Sequence, residues 1–206
     1  MDIRHCTTKE TKKGITLVEM LVIVSIFTIM MLAIMQSIAS FYRFNAYSIA
    51  QSYQVEHARR GVELLVRDIR EMTYADDGTF PLALMENNRI GFYSDIDRDN
   101  SVEYVEYRLS STTLQKYVYD AAGNPPLYDT TPEQVLTISE YVQNILQATS
   151  TFMYFDANGA PAGATSTVTD IKYIEVRIIV NIDPIRDPGE YMLRSSAALR
   201  NLKDNF

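Results

Sequence analysis

Cysteine is almost missing from this 206-residue sequence and histidine is scarce, with one Cys and two His. The lone thiol, Cys6, excludes a disulfide within the chain whatever the redox state of its surroundings. It also precedes the long apolar run, so it cannot serve as a lipid acylation site. No His-Cys cluster, no G-x-S-x-G elbow and no phosphate-binding glycine loop occurs. His57 lies among charges in a helical pattern, where a solvated histidine is expected. Asp76 and Asp77 adjoin Gly78 and read as a turn, not as a pair of carboxylates for acid and base work. These gaps leave catalysis little to stand on, and the chain is expected to be a non-enzyme without an organic cofactor.

Charge of either sign is also missing from residues 20–38, and the approach to that stretch is the most informative part of the chain. Residues 12–19 read Lys-Lys-Gly-Ile-Thr-Leu-Val-Glu. A secretory signal has its small-residue cleavage site after a short apolar core that is then lost. Here the apolar run extends over residues 15–38, enough at ~1.5 Å per helical residue to cross a hydrocarbon layer of roughly 30 Å. Arg4, Lys9, Lys12 and Lys13 outnumber Asp2 and Glu10 before it. The positive-inside rule therefore places the N-terminus in the cytoplasm and the C-terminal part outside, as a single-pass protein. Glu19 stands near one end of the spanning segment. A carboxylate there costs a few kcal/mol or must be neutralised, which makes it a functional candidate, with a place in the headgroup layer as the alternative.

Beyond the membrane the helical pattern continues. Val55, Ala58, Val62, Leu65, Val66, Ile69 and Met72 recur at spacings of three and four, a stripe suited to packing against a sheet. The opposite face offers Glu56 with Arg60, Glu63 with Arg67, and Arg67 with Glu71 as pairs four apart. One helix over residues 15–74 is expected, with Phe41, Tyr42, Phe44 and Tyr47 at the change from apolar to amphipathic. After the turn at 75–78 the period changes to two. Strands are expected near 89–94, 102–109, 113–119, 151–155, 171–182 and 191–199, and residues 135–146 read either as a strand or as a short helix started by Thr131-Pro132-Glu133. About 130 residues beyond the helix suit one antiparallel domain of ordinary size. The loops 123–126 and 159–163 are expected to be exposed.

Asp95, Asp97, Asp99, Asn100 and Glu106 follow the calcium-loop spacing D-x-D-x-D-G-x5-E, with Asn100 where glycine belongs. Hard oxygen ligands at alternating positions suit Ca2+, and Asn tolerates a left-handed turn. A strand starting at Val102 would carry Glu106 roughly 13 Å along the chain, so Glu103 is the nearer fourth carboxylate. A solvated acidic hairpin turn is the alternative.

The junction Lys12-Lys13-Gly14-Ile15-Thr16-Leu17-Val18-Glu19 resembles the type IV prepilin signal. The resemblance implies that a membrane aspartyl peptidase cleaves between Gly14 and Ile15 and methylates the new N-terminus at Ile15. It makes Glu19 the fifth residue of the mature chain, paired during assembly with the N-terminal ammonium of a neighbouring subunit. Opposite charges attract strongly where the dielectric is low, and the desolvation cost makes such a pair a register-setting device more than a source of stability. Most members place Phe first after the cut, where this chain has Ile15.

The implied fold is α+β and pilin-like, a long N-terminal α-helix with an apolar first half, packed on an antiparallel β-sheet domain. The implied organisation is a leader at 1–14, a transmembrane or fibre-core helix at 15–38, its amphipathic continuation at 39–74 and a β-rich domain at 75–206. Within the family the chain looks most like the large minor subunit of the J type, on the stretches 92–100, 152–159 and 199–203. That resemblance implies a minor pilin or pseudopilin, at the tip of a type IV pilus or a type II secretion pseudopilus. Its partners would be other pilin or pseudopilin subunits, the prepilin peptidase and, indirectly, an inner-membrane platform protein and an assembly ATPase. Its place would be the cytoplasmic membrane, with the C-terminal domain periplasmic or extracellular. A membrane-tethered binding module or adhesin that never enters a fibre is the alternative.

Removing residues 1–14 takes away four basic and two acidic side chains, lowering the formal charge from -7 to -9 and eliminating Cys6. Direct binding to a nucleic-acid backbone, which needs clustered Lys and Arg, is disfavoured.

Overall fold

The computed structural model describes residues 14–99, 101–123, 125–128, 131–163, 166–182 and 189–199. The chain divides into two compact units, residues 1–46 and 47–206. Helix α1 runs over Leu17–Arg70, 54 residues. Among the described residues ten strands follow in chain order: β1 Leu82–Met85, β2 Arg89–Ser94, β3 Glu103–Ser110, β4 Thr113–Tyr119, β5 Ala121–Ala122, β6 Leu127–Tyr128, β7 Gln134–Ser139, β8 Phe152–Phe155, β9 Tyr173–Val180 and β10 Tyr191–Ala198. A 3-10 turn, Val168–Asp170, precedes β9.

In the first unit, α1 is exposed all round. Every residue from Leu17 to Ala46 is open, Leu17 to 82% and Phe44 to 76%. By length and composition this stretch is able to cross a membrane.

In the second unit, α1 has a buried stripe. Ala58, Val62, Leu65, Val66 and Ile69 are closed to solvent at the spacing read from the sequence, while Val55 lies half-buried at the margin. The stripe joins Ile90, Phe92, Val105, Tyr107, Leu109, Leu114 and Ile138 of one sheet and Ile174, Val176, Ile178, Val180 and Ala197 of another in one core. Gly61 lets the helix approach closely: a Cβ there would lie 2.7 Å from Ile178 Cδ1 and 3.2 Å from Ser139 Cβ.

The helix ends four residues short of the expected Tyr74. Met72 pairs with Ser94 in an antiparallel bridge and the Thr73 N–H donates to the Tyr93 carbonyl at 3.0 Å, so edge pairing with β2 replaces a further helical turn. The turn that follows has Gly78 at φ +83°, its N–H on the Ala75 carbonyl at 2.8 Å, and Asp77 Oδ1 accepting from the Thr79 N–H at 2.8 Å.

The larger sheet has the order β1-β2-β3-β4-β7 and the smaller β10-β9-β8, all antiparallel, with β5 and β6 forming a separate ribbon. Of the segment 135–146 that the sequence left open between strand and helix, residues 135–139 belong to β7, and 140–146 form neither, with bends and turns apart from a bridge at Val142. β1 goes unread in the sequence because Leu-Ala-Leu-Met has neither alternation nor a β-branched residue. Past β7 the chain ties the sheets together. Val142 bridges Val180, and the buried Asn144 takes the place of a strand backbone, accepting from the Ile179 N–H at 2.9 Å and donating to the Arg177 carbonyl at 2.8 Å.

The helix-surface pairs differ from those expected. Arg59, not Arg67, pairs with Glu63, at 2.6 Å, and Arg67 turns to Asp68 at 3.2 Å. Asp68 is fully buried and needs donors, and Arg67 is one of them.

Candidate functional site

The N-terminal junction is the first candidate. The Gly14–Ile15 peptide bond precedes the first turn of α1, in non-helical chain, and Ile15 is exposed. A Cβ on Gly14 would meet nothing within 4 Å, so the chain's own packing does not require glycine there. Helix α1 starts at a Thr16-x-x-Glu19 spacing, that of a capping box, a signal the sequence reading passed over. Half of the box is formed: the Glu19 N–H donates to Thr16 Oγ1 at 3.3 Å, and the Met20 N–H donates to the Thr16 carbonyl at 3.1 Å. Glu19 thereby places a carboxylate in the first turn, where the helix dipole favours a negative charge. Among the described residues its carboxylate has no hydrogen-bond or ion-pair partner.

Residues 11–35 match the family described as the prokaryotic N-terminal methylation motif. This chain carries a type IV prepilin-like signal. The matched residues span Gly14, Ile15 and Glu19 and most of the apolar run. No curated protein matches the chain. The prepilin-like signal and the long helix followed by an antiparallel domain together give a pilin-like layout.

The acidic loop between β2 and β3 is the second candidate. Carboxylate oxygens of Asp95, Asp97, Asp99 and Glu103 lie within 4.8 Å of one another. Asn100 lies outside the described residues. Glu106 is absent from the cluster, as the strand geometry requires: it sits on β3 between Arg89 at 2.6 Å and Arg108 at 2.7 Å. Glu103 is 5% exposed, and burial, reinforced by Asp97 and Asp95, pushes its carboxyl upward against the pull of the Ile96 N–H at 2.6 Å. The donor set, all carboxylate oxygens, suits a hard divalent cation. The loop also satisfies itself. Asp95 Oδ1 accepts from the Arg98 N–H at 2.7 Å, Asp97 Oδ1 from the Asp99 N–H at 3.1 Å and Asp99 Oδ1 from the Ser101 N–H at 2.6 Å, with Arg98 held at φ +63°.

His57 is not simply solvated. It is half-buried, its Nδ1 accepts from the Glu140 N–H at 3.4 Å and its ring meets Tyr141 edge-on at 5.8 Å, because this part of α1 packs against the end of β7. Two arrangements escaped the sequence reading. Asp68 of α1 is buried against Lys116 Nζ at 2.6 Å and the Tyr107 hydroxyl at 2.7 Å. On the outer face of the larger sheet, tyrosines of neighbouring strands stand side by side. For the first, the available signal was an acid inside the helical stripe and a lysine between Leu114 and Val118 on the inward face of β4.

Proposed function

We propose that this protein is a minor pilin or pseudopilin, a structural subunit that enters a type IV pilus or a type II secretion pseudopilus after removal of residues 1–14 and N-methylation of Ile15. The observation that carries the reading is the prepilin-like signal at 11–35 leading into a helix whose apolar residues are exposed on every side. Such a surface needs lipid or other subunits to cover it. The unpartnered Glu19 carboxylate supports pairing with the N-terminal ammonium of a neighbouring subunit. In this reading the chain is a non-enzymatic subunit of the J type and sits at the fibre tip. The prepilin peptidase processes it and an inner-membrane platform protein and an ATPase assemble it. The β-rich unit lies on the periplasmic or extracellular side. We also propose the acidic loop as a weak calcium site, supported by its four converging carboxylates.

Mass spectrometry of the protein from its native membrane tests the reading. An N-terminus at Ile15 carrying one extra methyl group is expected. An intact N-terminus at Met1 would instead assign the chain as a tethered binding module.

A further inference from the structure

The outer face of the larger sheet carries an ordered layer of tyrosine. Strand register sets Tyr93 of β2 opposite Tyr104 of β3, and Tyr104 opposite Tyr119 of β4. Consecutive ring centroids lie 5.4 and 5.5 Å apart, and Tyr128 of β6 adds a fourth ring 5.0 Å from Tyr93. The Tyr104 ring leans over Gly91, where a Cβ would lie 2.1 Å from its hydroxyl oxygen, so the row is built into the backbone. All four rings are half-buried and keep part of their surface open. Burial, then neighbouring carboxylates, pushes the phenols of Tyr93 and Tyr128 upward, the latter to about 12, so the rings stay neutral.

Acids flank this row. Asp76 Oδ2 accepts from the Val102 N–H at 3.1 Å, and the Tyr128 hydroxyl donates to the carbonyl of the same Val102 at 2.9 Å. Asp120 follows Tyr119 and accepts from Ser101 Oγ at 3.3 Å. Asp77 adds a third exposed carboxylate, and among the described residues none of the three has a cationic partner. The arginines of this face, Arg89 and Arg108, are both engaged by Glu106. Arg108 also lies 5.0 Å from the centre of the Tyr117 ring, an internal example of a cation on a tyrosine of this sheet.

We propose that this face docks a lysine- or arginine-rich segment of a partner protein, its cations lying on the tyrosine rings and reaching Asp76, Asp77 and Asp120. Ring faces attract cations, and tyrosine anchors with a charged rim are the composition of an interface centre. The same carboxylates repel phosphate, so nucleic acid does not fit. The inference does not depend on whether α1 enters a fibre.

The test uses the full chain in detergent with EDTA and a fluorescent synthetic peptide alternating lysine and threonine, followed by anisotropy. Saturable binding that weakens with added salt is expected. Asp77→Asn with Asp120→Asn keeps the turn acceptors and removes two charges, and Tyr119→Ala removes one ring. Each should raise the Kd about tenfold, while Tyr119→Phe keeps the affinity. Equal binding of a glutamate-threonine peptide, tighter binding of a neutral oligosaccharide, or a Kd unchanged in both altered proteins would overturn the proposal. Unaltered melting curves confirm that the variants fold.

Discussion

At residue scale the second unit holds a buried ion pair, Asp68 with Lys116. Asp68 is fully closed to solvent, and its Oδ2 takes both Lys116 Nζ at 2.6 Å and the Tyr107 hydroxyl at 2.7 Å. Burial, then Asp68, pushes the Tyr107 phenol far upward, so it serves as a permanent donor. Removing one member of a buried pair strands the other, which costs about 3–5 kcal/mol, whereas replacing both by apolar groups is close to neutral. Lys116→Met should therefore lower the unfolding free energy by up to that amount, Arg67 remaining beside Asp68, and adding Asp68→Leu should restore part of it, the Tyr107 hydroxyl then lacking its acceptor, as read by chemical denaturation of the detergent-solubilised chain. Sequence patterning shows each member as a charge in an apolar face but not their pairing, because the partners lie 48 positions apart. Glu106 gives a pH signature. Burial raises its carboxyl, but pairing with Arg89 and Arg108 outweighs burial and leaves it below the usual value. A carboxyl lowered by folding adds stability above its unfolded value of about 4.3 and loses that stability as pH falls through the folded value. The melting temperature of the native protein should thus fall more steeply below about pH 4.5 than that of Glu106→Gln.

At the scale of elements, the strands read from the sequence were those with period-two alternation, and β2 and β4 match the expected bounds residue for residue. β1 was not legible for want of alternation and β-branched residues, and the end of α1 was not, because pairing between Met72 and Ser94 overrides a helical pattern that runs on unbroken. The acidic loop was legible as a spacing, and the choice of Glu103 over Glu106 followed from strand geometry. Its affinity was not, since that depends on how far the carboxylates already serve the loop's own N–H groups. Asp95, Asp97, Asp99 and Glu103 each accept at least one backbone N–H, which leaves fewer lone pairs for a cation. Affinity in the range of extracellular modules, ~10⁻⁴–10⁻³ M, is expected. Millimolar Ca2+ should raise the melting temperature by a few degrees and Mg2+ should not, given its stricter geometry. Because Glu103 is raised, protons compete with the ion and the calcium effect should shrink as pH falls through its raised value. Identical melting with calcium and with EDTA at neutral pH would reduce the loop to an acidic turn.

At the scale of the whole molecule, the prepilin-like signal was legible because its parts are contiguous: basic residues, Gly14, the apolar run and Glu19 fall within one short segment. The tyrosine row was not, because it exists only through the register of three strands. The remaining question is what Glu19 does, since it has two roles open to it. As an acid in the first turn it helps start α1 through the helix dipole, a local effect of about 0.3–1 kcal/mol, while the Thr16 cap uses only the Glu19 backbone N–H. As the acid paired with a neighbour's N-terminal ammonium it needs its charge. Glu19→Gln keeps the polar shape and removes the charge, and Glu19→Ala removes both. If charge pairing governs assembly, both variants should be cleaved between Gly14 and Ile15 and remain in the membrane, while their recovery in sheared fibres falls about tenfold or more, consistent with loss of an ion pair at low dielectric. Normal incorporation of Glu19→Gln would reduce Glu19 to a helix-starting residue, and retained incorporation of Glu19→Ala would remove it from assembly altogether.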